Sequence, residues 1–499
     1  MQQRHYSHRA GPIDRCTLCL LYRADPGKYR HRRGMLGPLL KMFLGIPERR
    51  SNYRRYRDYD PNPSRRRRRV TTTTTRVAHV AAEQPMTLAE KHAAEFRQHT
   101  APVPVAASTA AASSRRFEEP RPATRGVRSS VTPQRRGRQQ FQPLPPPTGQ
   151  PPYHLSLDDV LPAEQMTAIR NSGRILMHVA GDTGGVKAPQ SQQIVAMAME
   201  TQFQFPDVTL RPAFFYHLGD VVYYYGEAKE YYSQFYDPYV HYPAPIFAIP
   251  GNHDGDVTEG SPPSLTAFVN NFCAATPHIT PEAGETARDA MTQPNVYWTL
   301  EAPFVTMIGL YSNVPEGGQM DDDQINWFIN ELRTAPPDKA LIVSVHHPAY
   351  SADSHHSGSR YIQETLDNSF SQSGRLPDLV LTGHVHNYQR FTRQVEGRHL
   401  PYIVHGSGGY WHLHYLAKKE DGSVMTTPYQ MPDNPDVTLE QACDDRHSFM
   451  RLMVTPRFLT GECWTVSRPQ ESWRAPATRL DGFALDLQSH KLVRGTGLR

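Results

Sequence analysis

At five places in this chain a short apolar run ends in a cluster of polar, chemistry-bearing residues. Run 176–180 leads into Gly181-Asp182-Thr183-Gly184, run 214–218 into Gly219-Asp220-Val221-Val222-Tyr223, and run 246–250 into Gly251-Asn252-His253-Asp254. Run 341–345 leads into His346-His347-Pro348, and run 379–382 into Gly383-His384-Val385-His386. Apolar runs this short, bounded by Gly or Pro, predict buried strands. Ligands of α/β sheets bind beyond the carboxyl ends of the strands. Five such junctions therefore predict a single site assembled from five loops.

The residue types say what the site holds. Asp182, Asp220, Tyr223, Asn252, His346, His384 and His386 offer carboxylate, phenolate and amide oxygens together with imidazole nitrogens. That mixture suits first-row transition metals better than thiolate-seeking ions or oxygen-bound Ca2+. Seven donors exceed what one tetrahedral ion takes, but they serve two ions if one carboxylate bridges. Two ions roughly 3.5–4 Å apart form a clamp for in-line displacement at phosphorus. Any one of these residues has an ordinary reading, such as a turn Asp, a helix cap or a core His. All of those readings must hold together for the site to be absent.

In this order Gly-Asp, Gly-Asp-x-x-Tyr, Gly-Asn-His, His-x-Pro and Gly-His-x-His resemble the calcineurin-like metallophosphoesterases, and within them the purple acid phosphatase branch. The general pattern has a His two positions after the first Asp, where this chain has Gly184; Tyr223, three after Asp220, matches the purple branch instead. The resemblance implies a four-layer α/β/β/α sandwich. It implies one ion on Asp182, Tyr223 and His386, a second on Asn252, His346 and His384, and Asp220 bridging. Two anionic oxygens beside the bridge make the first position hard enough for Fe3+; the neutral amide and imidazoles of the second suit Zn2+, Mn2+ or Fe2+. The implied activity is hydrolysis of small phosphomonoesters by a hydroxide held on the ions, as in acid phosphatases. His253 is expected at the substrate, and Asp254 is expected to orient that imidazole or a neighbour. His355 and His356 are similar to the paired His of plant-type purple acid phosphatases, with His356 the stronger match. A phosphodiesterase or nucleotidase on the same metals is the alternative activity.

Charge divides the chain. Residues 1–150 hold 30 of the 54 Lys and Arg but 10 of the 49 Asp and Glu, a formal +20 against −15 for the remainder. With Arg65 to Arg69 in a row, a five-Thr run and few periodic apolar residues, this segment is expected to be disordered, with a short helix over 87–98. Such an arm suits nucleic acid or another anionic surface, and a binding protein acting through it is a further reading. The expected boundaries are a catalytic domain over 153–470 and a tail over 471–499. The apolar stretch 35–46 is too short to span a bilayer. No signal segment is recognisable, which favours the cytoplasm as the expected compartment. Five cysteines, an odd number, do not suggest a disulfide framework.

Overall fold

The structure, a computed structural model, describes residues 140–493 except Glu420 and Trp473. The basic segment 1–139, with the helix expected over 87–98, lies outside the described residues. The strands are β1 (His154–Ser156), β2 (Ile175–Ala180), β3 (Phe214–His217), β4 (Ile246–Ala248), β5 (Trp298–Ala302), β6 (Val305–Leu310), β7 (Ala340–Val345) and β8 (Leu379–Thr382). They continue as β9 (Tyr388–Val395), β10 (Arg398–His405), β11 (Tyr429–Gln430), β12 (Val437–Cys443), β13 (Ser448–Val454), β14 (Phe458–Thr465), β15 (Thr478–Asp486) and β16 (Lys491–Leu492). One sheet has nine strands in the order β1-β5-β6-β7-β8-β10-β9-β12-β11, the other seven in the order β16-β15-β14-β13-β2-β3-β4.

Alternation along the strands builds the layers, because successive side chains point to opposite faces. Met177 and Val179 of β2, Phe214 and Tyr216 of β3, and Ile342 of β7 meet in one core between the sheets. Phe215 and Ala248 face the other way, into a core shared with Ile194, Val195 and Met199 of the helix Gln190–Thr201. Leu341 and Val343 face a third core with Phe328, Leu332, Ile362 and Leu366. The result is two sheets packed face to face with helices outside each, the α/β/β/α arrangement. The helices are α1 (Ala163–Ser172), α2 (Gln190–Thr201), α3 (Asn252–Gly255), α4 (Thr266–Phe272), α5 (Asp322–Thr334) and α6 (Arg360–Ser373). Local signals set their ends. Asp321 accepts the Gln324 amide at the start of α5, and Ser359 accepts that of Ile362 at the start of α6. Gly374, at φ +70°, closes α6.

One expected boundary needs correction, and two other segments bear on the body. The presumed tail 471–499 supplies β15, which pairs along its length with β14 and carries buried Phe483 and Leu485. The Pro-rich stretch before Tyr153 is pinned to the body: Gln142 and Asn313 exchange two hydrogen bonds of 2.8 and 2.9 Å, and the Thr148 and Gly149 amides donate to Pro294. The aromatic stretch 227–239 is a 3-10 turn followed by a π-helical turn over Tyr232–Tyr236, not a continuous helix. Its Tyr231, Phe235, Tyr236 and Tyr239 are core residues, while Tyr232 is exposed. Among the described residues no helix is long and apolar enough to cross a membrane.

Candidate metal centre

Strands β2, β3 and β4 run parallel side by side, as do β7 and β8 in the other sheet. Their carboxyl ends meet at one edge of the sandwich. Backbone bonds sew the loops together there: Asp182 donates to Gly219, and Gly383 to His346. Asp182 Oδ2 accepts the His384 amide at 2.9 Å, which ties the two sheets directly. Asp182, Asp220 and His384 all sit at positive φ, of +56°, +53° and +68°. A left-handed conformation costs such residues about 1–2 kcal/mol each. Strain of this kind concentrates where a side chain must be aimed.

All seven donors predicted from the sequence gather here, in two groups around Asp220. In one, Tyr223 Oη donates to Asp182 Oδ1 at 3.3 Å and stands 3.3 Å from His386 Nε2, with His386 Nε2 3.5 Å from Asp182 Oδ1. In the other, Asn252 Oδ1 lies 3.1 Å from His346 Nε2 and 3.0 Å from His384 Nδ1. Asp220 Oδ1 is 3.4 Å from His346 Nε2, while its buried Oδ2 has no hydrogen-bond partner.

In His346 and His386 the ring nitrogens facing away from the centre are fixed. His346 Nδ1–H donates to the Leu218 carbonyl at 2.8 Å and His386 Nδ1–H to the His412 carbonyl at 3.1 Å. His384 Nε2 faces Glu316 Oε1 at 3.5 Å. Each ring therefore turns its other nitrogen inward, the arrangement that orients imidazoles toward a metal. Two buried carboxylates set the electrostatics of the centre. Burial works against a proton on His346, but the Asp220 and Asp182 carboxylates push its pKa up to about 9. Burial, then the same two charges, push the Tyr223 phenol well above its usual range.

The residues beside the donors behave less uniformly. His253 donates its amide to Asp220 Oδ1 at 3.0 Å and its Nδ1–H to the Tyr224 carbonyl at 2.9 Å. Its ring lies 4.6 Å from that of Tyr223. Asp254 does not hold the His253 imidazole. Its carboxylate accepts the amides of Gly251, Val221 and Val222, fixing the loops that carry Asn252 and Asp220. Burial and the Asp220 charge push its pKa up to about 7. His356 leans over His384 with ring centres 4.5 Å apart and bonds Glu316 Oε1 through Nδ1 at 3.1 Å. Burial opposes a proton on His356, but that bond and the Glu316 charge raise its pKa. His355 instead stacks on His414 at 4.8 Å. His347 bonds Ser312 rather than the centre, and His405 is a core residue bonded to Ser448.

Sequence reasoning missed Glu316, Gln234, His412 and His414. Gln234, on the π-helical turn, clamps the Tyr223 backbone, accepting its amide and donating to its carbonyl at 2.9 Å each. A π turn at such a position often marks a functional site, but no spacing rule announces it. Glu316 stands 40 residues from His356 in sequence, so no local pattern joins them.

A family model, the calcineurin-like phosphoesterases, matches residues 178–388. Purple acid phosphatase 21 of Arabidopsis thaliana is 28% identical over 127 residues, 24% of this chain and 28% of that protein's length. Less than a third of that relative is thus spanned by the match. Among solved structures, purple acid phosphatase PPD1 from yellow lupin (Lupinus luteus) seeds aligns with 63% of this chain and 54% of its own, at 16% identity and a TM-score of 0.42. GAP50, the anchor in the inner membrane complex of Plasmodium, aligns with 62% of this chain and 89% of its own, at 14% identity and a TM-score of 0.41. The matched segment contains all seven clustered donors. Over residues 178–388 the chain matches the calcineurin-like phosphoesterase family, and part of it is similar to a purple acid phosphatase.

Proposed function

We propose that the protein is a binuclear-metal phosphomonoesterase of the acid phosphatase kind. The observation that carries this is the pair of donor groups meeting at Asp220. Ligands about 2.0–2.2 Å from an ion stand about 3–3.5 Å from one another, and the two groups have separations of 3.0 to 3.5 Å. The buried Asp220 Oδ2, which has no hydrogen-bond partner, further suits a cation between the two groups. Asp182, Tyr223 and His386 would hold one ion, with Fe3+ the best fit to two anionic oxygens. Asn252, His346 and His384 would hold the other, a divalent Zn2+, Mn2+ or Fe2+, with Asp220 between. When bound, such ions supply charge to neutralise phosphate oxygens and acidify water.

The chain's own groups do the rest. His253 has its Nδ1–H committed to the Tyr224 carbonyl, so Nε2 is left for a substrate oxygen. Glu316 favours the protonated form of His356, which can then deliver a proton to the departing alkoxide. His355 is turned toward His414 and is the weaker candidate for that work. Turnover of p-nitrophenyl phosphate beside bis-p-nitrophenyl phosphate tests the reading. Faster turnover of the monoester supports it; a preference for the diester makes the protein a phosphodiesterase on the same centre. No turnover of either by metal-loaded protein would overturn it.

A further inference from the structure

Beside the seven donors lies a second cluster that none of them enters. Asp353, His355 and His414 bring one ligand atom each within 4.8 Å of one another. Asp353 is buried, and among the described residues its one ion-pair neighbour is His414. Its carboxylate is aimed by the chain: Oδ1 accepts the amides of His355 and His356 at 2.7 and 2.9 Å, and Oδ2 accepts Asn387 Nδ2 at 3.0 Å. His414 is 6% exposed, and its Nδ1 points at Asp353 Oδ1 from 3.7 Å without a hydrogen bond. The His414 backbone is held at both ends, its amide donating to His386 and its carbonyl accepting Asn387 Nδ2. The two loops are stitched together by Ser354 donating to Tyr415, by Ala417 donating to Ala352, and by a bridge between Asp353 and Leu416.

We propose that Asp353, His355 and His414 form a third cation site, for a borderline divalent ion of the Zn2+ class. One carboxylate and two imidazoles are the donors such an ion prefers. Two of the three are already buried and aimed. The third, His355, is exposed, stacked on His414 and bonded through Nδ1 to Ser354 Oγ at 3.0 Å, so its ring would turn to bring a nitrogen to the roughly 3.4 Å spacing that ligands of one ion require. Three protein donors leave a coordination position open on the exposed side. The ring of His414 lies 4.4 Å from that of His386, so the ion would add positive charge next to the centre where a phosphate is expected.

The test is a count of Zn2+ per chain. Full-length protein is stripped of metal, dialysed into a Zn2+ buffer and analysed by mass spectrometry. His355→Ala, at an exposed position, should hold one ion fewer than wild type. His414→Gln, with its circular dichroism compared to wild type, should show the same loss. Asp220→Ala should keep this ion whatever else it loses, so the result does not depend on the dinuclear reading. Equal counts for wild type and His355→Ala would overturn the proposal.

Discussion

The ring of Tyr223 occupies the space that a side chain at Gly184 would need: a Cβ there would stand 2.6 Å from Tyr223 Cδ2 and 2.5 Å from Gln234 Oε1. The glycine and the tyrosine are thus a matched pair. The space beside Asp182 has room for a side chain on residue 184 or for the ring of Tyr223, and here the ring fills it. Gly184→Ala should cost about 1–3 kcal/mol, the usual penalty of overpacking, and disturb whatever Tyr223 holds. Denaturant unfolding with a parallel measurement of iron content checks this; unchanged stability would mean that the ring is free to move.

Asp220 is the residue between the two donor groups, so Asp220→Ala should empty both positions of the dinuclear centre. His253→Ala should leave both filled and slow turnover by about 10²–10⁴-fold, the range for general acid or base help. Metal analysis and steady-state kinetics on the two variants decide it. Two ions retained at that centre in Asp220→Ala, or wild-type rates in His253→Ala, would contradict these roles.

Glu316 is expected to set the alkaline side of the pH profile. Burial lowers the pKa of His356, but the bond to Glu316 raises it further. The protonated form therefore persists to higher pH than in a free histidine. What the pair contributes is complete below the unfolded value and lost as pH rises through the raised one. In Glu316→Gln the alkaline limb of kcat/KM should move to lower pH with the metal content kept. An unmoved limb would remove His356 as the proton donor.

The segment 140–152 is expected to belong to the folded body rather than to the basic arm. A chain starting at Gln140 should keep cooperative melting and turnover of small phosphoesters. A chain starting at Tyr153 loses the bonds to Asn313 and Pro294, each worth about 0.5–1.5 kcal/mol. It should melt lower. Identical melting of the two would show that these bonds contribute nothing.

The sheet edge was legible because each of its five loops follows an apolar run with no competing signal, and because each motif is local. Gly184 and Tyr223 could be paired only through the resemblance to the purple branch; their contact in space gives the pairing a physical basis. β15 was not legible, since Arg479, Asp481 and Gly482 break its apolar pattern and only Phe483 and Leu485 are well buried. The anchoring of segment 140–152 was not legible, because composition says nothing of Asn313, 171 residues from Gln142. Glu316 and His414 were invisible for a similar reason. Each meets the site through tertiary contacts, and neither stands in a motif.

The most direct test of the account is the visible spectrum of the iron-loaded protein with and without the Tyr223 hydroxyl. A phenolate on Fe3+ gives a charge-transfer band. Aerobically purified wild type should therefore be pink to purple, Tyr223→Phe colourless with its iron retained, and Tyr224→Phe and Tyr225→Phe coloured. A colourless wild type with a full complement of Fe3+, or a Tyr223→Phe variant that keeps the colour, would place Tyr223 off the metal and contradict the account.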